Sequence, residues 1–511
     1  MAGTVTSQLT RIEDCEAGTL SSIGGGAGAT TNTDVFIQGA TSFARRQSSQ
    51  TDHGFWFDNG SGIDLSAASV HVGYWIWHTH FAVLTKLAVR VGTSTTNYDE
   101  HTIPLTEYPN TGGWIRVWFD ISRTPTATGG SGLNEAAAQF YALLASLPAV
   151  GGSSQNLVMD AVDYTTGGLL VDSGTGGSPA VFDDFETADG ANTTNKYGVM
   201  ISRSGIRYVL ARLTIGDATA TVFNDSNETL IFLDQSLVES TFMGLSFGMS
   251  NASTDIDLAS CTVRSAGATK GDLLVTGTSG TMNLTSCTLA SLRVITLTSV
   301  CTLTTCVIQL CGLITQSNAI IDGCTIDQST GAVGVLSDNP QDISDCVFIS
   351  DGTGHAIEIS ATGTYTFSGN TFSGYAATNG STGNEAIYNN SGGAVTLNIS
   401  GGGGTPTIRN GAGASTTVNN NISVTLTGLK DNTEVRVFTT GTTTALAGIE
   451  DATDGSADNR SFTFSLSAGT DVDIQILSVG YENLRLEAYE VPTSDTSVPI
   501  QQRFDRNYNN P

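Results

Sequence analysis

Ser260-Cys261-Thr262-Val263, Ser286-Cys287-Thr288-Leu289, Thr305-Cys306-Val307-Ile308, Gly323-Cys324-Thr325-Ile326 and Asp345-Cys346-Val347-Phe348 are five copies of one phrase. Gly369-Asn370-Thr371-Phe372 is a sixth, with Asn in place of Cys. The spacings from copy to copy are 26, 19, 18, 22 and 24 residues. A period near twenty indicates stacked coils, because a unit that small cannot bury its own apolar face. Between the phrases lie short alternating runs such as Leu273-Leu274-Val275-Thr276, Thr281-Met282-Asn283-Leu284 and Ala356-Ile357-Glu358-Ile359. Period-two alternation of β-branched and aromatic residues, broken by Gly, Asn, Asp and Ser, reads as strand. Three short strands fit each interval, so the expected fold is a three-sided right-handed parallel β-helix with coils roughly 4.8 Å apart. Cys261, Cys287, Cys306, Cys324, Cys346 and Asn370 are then expected to form one inward column, with thiols as small buried hydrophobes and Asn bonding along the stack. Propeller repeats of about 40 residues are too long for this spacing.

Composition narrows the function. The 511 residues carry 21 Lys+Arg against 48 Asp+Glu, a formal net charge of −27. Such a balance disfavours nucleic acid and anionic membrane as partners. Only 14% of residues are charged, whereas Gly, Ser, Thr and Asn abound, as in extracellular β-rich fibres and shells; 39% apolar content with clean alternation argues for a packed core rather than disorder. The start, Met1-Ala2-Gly3-Thr4-Val5, shows no secretory leader, and no apolar run is long enough to span a membrane. These features together suggest a particle assembled in the cytoplasm and released by lysis. Most of the eight cysteines share one register and have no zinc-type spacing, so stacked thiols are expected rather than disulfides. Cys301 and Cys311 break that register.

The organisation is all-β with five segments. Residues 1–175 hold all five tryptophans and read as a jelly-roll sandwich of lectin or laminin-G type, with one helix expected from an Asn134 cap through Glu135 and the following alanines to a stop at Pro148. Residues 176–207 read as a connector, 208–412 as the β-helix, and 413–490 as an immunoglobulin-like sandwich that caps the open coil. Residues 491–511 have no period and no core of their own. Arg503, Phe504, Arg506 and Tyr508 suit this stretch to an extended arm docking on a neighbour, since Arg and aromatics anchor interfaces.

Candidate chemistry is sparse. β-Helices host polysaccharide-cleaving enzymes, so paired carboxylates were sought among Asp322, Asp327, Asp345, Asp351 and Glu358, with His355 nearby in sequence. The opposing reading is solvated turn carboxylates. His78 and His80 share one strand face and could bind a metal, but strand histidines beside packed aromatics are the favoured reading. Two acidic phrases, Glu13-Asp14-Cys15-Glu16 and Asp183-Asp184-Phe185-Glu186, could hold a structural calcium or be polar strand ends. No catalytic residue, metal ligand or cofactor is assigned. The tryptophans read as core rather than as sugar-stacking platforms.

Several phrases together resemble virion proteins of tailed bacteriophages, especially marine ones, that carry a lectin-like front and a right-handed β-helix. They include Asp14-Cys15-Glu16, Tyr208-Val209-Leu210, Gly354-His355-Ala356-Ile357-Glu358-Ile359, Thr364-Tyr365-Thr366-Phe367-Ser368-Gly369-Asn370 and the Gln501-Gln502-Arg503-Phe504-Asp505-Arg506-Asn507-Tyr508 tail. The resemblance implies a non-enzymatic virion component: an appendage, tail fibre or capsid-decoration protein. It would be homotrimeric, attach to other virion proteins and face host glycans. A tailspike enzyme that depolymerises host polysaccharide is the competing expectation.

Overall fold

The computed structural model describes every residue except 1–3, 7–8, 25–27, 38, 48–51, 106–112, 149–154, 167–168, 173–180, 186–197, 204, 217–219, 234–241, 268–269, 381–382, 401–403, 453, 457–458, 468, 493–494 and 507–511. Among the described residues the chain is all-β, with single 3₁₀ turns and no α-helix. The helix expected from Asn134 is absent. Glu135–Ala137 is one 3₁₀ turn without a side-chain cap, and Ala138–Ser146 is a strand. That strand pairs with His53–Ile63 on one side and Lys86–Gly92 on the other, and most of it is buried. Pairing on both edges and burial on both faces outweigh the helix propensity of its alanines and leucines.

The chain divides into two compact units: Met1–Thr302 with Cys306–Gly312, and Leu303–Thr305 with Leu313–Pro511. The first unit begins with two antiparallel sheets. One is ordered Gly113–Asp120, His71–His78, Gln155–Thr165, Ser42–Gln47, Thr30–Asn32, with Thr10–Glu13 also on Gln155–Thr165. The other runs Ala127–Gly129, Tyr98–Thr102, Lys86–Gly92, Ala138–Ser146, His53–Ile63, Thr19–Ile23. They meet through Phe43 and Phe57, whose ring centroids are 6.0 Å apart, and through the Tyr74 hydroxyl, which donates to the Arg90 carbonyl at 3.1 Å. Trp56, Trp75, Trp114 and Trp118 are all buried. Arg116 is buried between the rings of Trp75 and Trp118, and its charge is met by Asp163 at 2.7 Å.

Parallel pairing follows in the same unit. Strands are dealt in turn to three sheets: Val222–Ser226, Thr229–Phe232 and Gly244–Gly248; then Asp255–Ala259, Thr262–Ser265 and Asp272–Thr276; then Thr281–Thr285, Thr288–Ala290 and Ile295–Thr296. Each strand pairs in parallel with the one three positions later. Apolar residues at alternate positions point in: Ile256, Leu258, Val263, Leu273, Val275, Met282, Leu284 and Leu289 are each at most 1% exposed. Leu169–Asp172 already pairs in parallel with Leu213–Ile215, so parallel pairing starts within the stretch read as sandwich. The second unit deals strands the same way, with Val333–Ser337, His355–Ile359, Ile387–Asn389 and Ile408–Asn410 in one parallel sheet. Gly363–Ser368, Ala394–Ser400 and the start of Ser415–Leu429 form another.

Ser415–Leu429 is one 15-residue strand with two jobs. Its first part extends the parallel sheet; its second pairs antiparallel with Asn459–Ser467. The change therefore falls within a strand, past the boundary at 413. Facing it is the sheet Ala445–Ile449, Thr433–Thr439, Asp471–Ser478, Leu484–Glu490. Their shared core includes Val424, Leu426, Val435, Val437, Phe464 and Ile474. It also includes Val491 and Ile500, so the final stretch contributes to the core of this sandwich.

Candidate functional site

The repeated phrase is a corner. The residue before each of its key positions has positive φ: Ser260 (55°), Ser286 (54°), Thr305 (53°), Gly323 (61°), Asp345 (52°) and Gly369 (67°). Glycine takes that conformation without penalty, whereas the others hold it against an intrinsic cost of roughly 1–2 kcal/mol. What holds it is the next repeat: the corner N–H of Ser260, Thr305, Gly323, Asp345 and Gly369 donates to the carbonyl of Thr285, Asp322, Ser344, Ser368 and Ser400, respectively. The following side chain then turns inward. In the first unit, Cys287 and Cys306 point their thiols at the carbonyls of Leu258 and Leu284, at 3.3 and 3.2 Å. In the second, Cys324 and Cys346 meet the carbonyls of Leu303 and Ile321 at 3.6 and 3.5 Å. Asn370 does the same with its amide, donating to the Ile343 carbonyl at 2.7 Å and accepting the Cys346 N–H at 3.0 Å. In each case the acceptor lies three residues before the key position of the preceding copy of the phrase. Cys261 is likewise buried, its thiol beside the Ala259 carbonyl at 3.5 Å.

All eight cysteines are buried and reduced. The two off-register thiols have places of their own. Cys301 opens the strand Cys301–Thr304 on an inward position. Cys311 follows a second left-handed corner at Leu310, where Ser291 stands one coil earlier, and its thiol meets the Leu289 carbonyl at 3.5 Å. Burial pushes the Cys311 thiol up to about 11. At Cys287 the contact with Cys261 lowers the value, but the contact with Cys306 and burial outweigh it, leaving about 11. Contact with Cys287, then burial, raise Cys261 further still. Thiols held protonated are poor nucleophiles and poor metal ligands.

The remaining candidates disperse. The Asp322 carboxylate accepts from the Ser344 hydroxyl at 2.7 Å, Asp351 caps its own turn through Thr353, and Glu358 accepts from the Asn390 amide at 2.8 Å. Asp322, Asp327 and Glu358 end up on strands of three different sheets. His78 is buried, holds its Nδ1 against the His80 N–H at 3.1 Å, and is pushed down to about 4 by burial; the His80 side chain points to solvent. In the first acidic phrase, Glu13, Asp14 and Glu16 are turned onto backbone N–H groups of Cys15, Glu16 and Ala40; in the second, Asp183 pairs with Arg207. Among the described residues no cluster of three His, Cys, Asp or Glu side chains could hold a metal ion.

Of the proposed arm, Arg503, Phe504 and Arg506 are described, and Tyr508 lies outside the described residues. The stretch is pinned to its own sandwich. Thr496–Pro499 pairs with Val424–Thr427, the Arg503 carbonyl accepts from Glu482, and Gln502 accepts from the Lys430 N–H at 2.7 Å. The Phe504 side chain remains 64% exposed.

The sequence reading missed a groove of about 510 Å³ in the second unit, lined by Asn379, Gly380, Ile408, Arg409, Asn410, Thr416 and Val418. Parallel register places Glu358, Tyr388 and Arg409 side by side on adjacent strands, all pointing outward. The Tyr388 ring has His355 stacked on it at 5.0 Å and the Arg409 guanidinium over it at 5.1 Å. Arg409 Nη1 lies 3.4 Å from His355 Nε2. Because a guanidinium only donates, Nε2 accepts and the ring proton sits on Nδ1, which donates to the Glu385 carbonyl at 2.8 Å. The available signal was a lone Arg at an outward strand position in a strongly acidic coil region.

A second charged surface lies on the first unit's sandwich, where Lys86 bridges Asp52 and Glu100 at 2.9 and 2.8 Å and Arg90 meets Glu100 at 2.7 Å over the Tyr98 ring. Those cations are matched by carboxylates. Among the described residues, no carboxylate lies within ion-pair distance of Arg409.

No protein-family model matches the chain, and no curated protein matches it. Solved structures give remote likenesses. An exo-β-agarase is 12% identical over 32% of this chain and 25% of its own, with a TM-score of 0.24. A family 11 carbohydrate-binding module from Clostridium thermocellum, solved with a mixed-linked tetrasaccharide, is 11% identical over 32% of this chain and 96% of its own, at 0.22. The catalytic domain of a GH87 α-1,3-glucanase, solved with nigerose, is 10% identical over 82% of this chain and 86% of its own, at 0.19. This chain thus spans about a quarter of the agarase's length, and TM-scores this low carry no argument about fold or activity.

Proposed function

We propose that this chain is a non-enzymatic structural component of a tailed-bacteriophage virion, an appendage, fibre or decoration protein that works as a homotrimer. In this reading the parallel strands form a right-handed β-helix across residues 208–412, begun by Leu169–Asp172. The first two sheets are a jelly-roll and the last two an immunoglobulin-like sandwich. The helix is a stiff spacer; the sandwiches and outward strand positions contact host glycans or neighbouring subunits, and the exposed Phe504 marks the anchoring end.

The repeated corner is the observation that carries this reading. Its cysteine side chains are buried and aimed at backbone carbonyls of the preceding repeat. That is an investment in rigidity rather than reactivity. The test is electron microscopy of purified particles labelled with an antibody to residues 1–175. Labelling at a fixed site in several copies is expected; particles that carry none of this chain would refute the reading.

The competing reading is a depolymerising tailspike. It draws on the surface beside the groove, where His355 and Glu358 on one strand lie across the Tyr388 strand from Arg409. Release of reducing ends from host polysaccharide would favour it over the spacer.

A further inference from the structure

We infer that the groove around Arg409 is a binding site for an acidic saccharide, one carrying a carboxylate or a sulfate. This rests on the glycan-contact reading above and sharpens it by naming the ligand's charge and the residues that read it.

Donor capacity carries the inference. Asn379 spends its Oδ1 on the Ile408 N–H at 2.8 Å, and Asn410 spends its Oδ1 on the Thr416 hydroxyl at 2.6 Å. Each of those oxygens already accepts one bond, and that bond orients the amide, whereas neither Nδ2 group donates to a protein acceptor. The Thr416 oxygen is itself taken by the Asn389 amide at 2.9 Å. The side chains of the lining therefore offer a ligand more donors than acceptors, two amide N–H₂ groups and a guanidinium foremost, and no carboxylate lines it. A neutral sugar hydroxyl needs acceptors as well as donors, whereas a carboxylate or sulfate needs donors alone.

The guanidinium is held for that task. Tyr388 supports one face, and His355 presents a lone pair to Nη1. His355 is fixed in turn by the Glu385 carbonyl. Gly383 closes the other side: with φ at 120°, a Cβ there would sit 3.4 Å from Arg409 Nη1. A planar cation held this way loses little entropy when it engages an anion bidentately. An uncompensated Arg in a chain of net charge −27 also selects locally what the global field would otherwise repel.

The experiment is calorimetric titration of the full chain with three probes: tetragalacturonate, a sulfated carrageenan tetrasaccharide and neutral maltotetraose. Binding of at least one acidic probe is expected, weakened severalfold between 50 and 300 mM salt, with no measurable binding of maltotetraose. Arg409→Gln should weaken the acidic probe at least tenfold. Asn410→Asp, which leaves the Arg–Tyr–His stack alone but adds a carboxylate to the groove, should do the same. Both variants should keep the parent melting temperature within a few degrees. Acidic-probe binding that survives both substitutions overturns the groove as the site while leaving glycan contact standing. Preference for maltotetraose overturns the charge assignment alone. Binding of no saccharide overturns both this inference and the glycan contact beneath it.

Discussion

At the level of single residues, the fold turns on one position repeated. Asn370 tests its logic, because this side chain makes two hydrogen bonds where the other copies offer a thiol. Asn370→Ala leaves a carbonyl and an N–H unsatisfied in a site only 1% exposed. At about 1–3 kcal/mol for each such group, a loss of roughly 2–6 kcal/mol is expected in denaturant unfolding. Asn370→Cys should recover part of it. The preceding position gives the opposite sign. Thr305 is β-branched at a φ of 53°, so Thr305→Gly is expected to stabilise by about 1 kcal/mol in the same measurement. The repeated position itself was readable from spacing. The left-handed corner that creates it was not, because Ser, Thr, Asp and Gly share that position and only glycine announces positive φ.

At the level of elements, the buried thiols couple stability to pH. Cys287 and Cys311 bind their protons more tightly when folded, at about 11, than the ordinary value of 9.0. A raised folded value means the stabilisation is complete below pH 9 and lost as pH rises toward 11. The melting temperature should therefore fall steeply between pH 9 and 11, and Cys311→Val should blunt the fall; a flat profile there would contradict the burial of protonated thiols at Cys287 and Cys311. The strand Ser415–Leu429 carries a second expectation. It covers Ala394–Ile399, so a chain ending at 412 exposes a parallel edge. That truncation is expected to self-associate in sedimentation velocity. Strand alternation made these elements legible, and the same alternation explains the error at Ala138–Ser146. Alanine and leucine favour helix locally, and only the two neighbouring strands, far away in sequence, reveal that both faces are buried.

At the level of the whole molecule, composition spoke more clearly than any motif. A net charge of −27 with few charged residues pointed away from nucleic acid and toward a neutral, hydroxyl-rich surface. It could not disclose the Arg409 groove, because that site is assembled from strands 20 to 30 residues apart whose shared register is set only by coil stacking. Phe504, exposed on a segment otherwise pinned to its sandwich, belongs to this scale too. Phe504→Ser should leave the melting temperature unchanged and lower incorporation into particles severalfold, read by quantitative blotting of purified virions. The central claim is that the chain holds glycan without cutting it. Its most direct test is multi-angle light scattering of an acidic host polysaccharide incubated with the purified protein. The account predicts that protein co-elutes with polymer of undiminished molar mass, and progressive shortening of the polymer would contradict it.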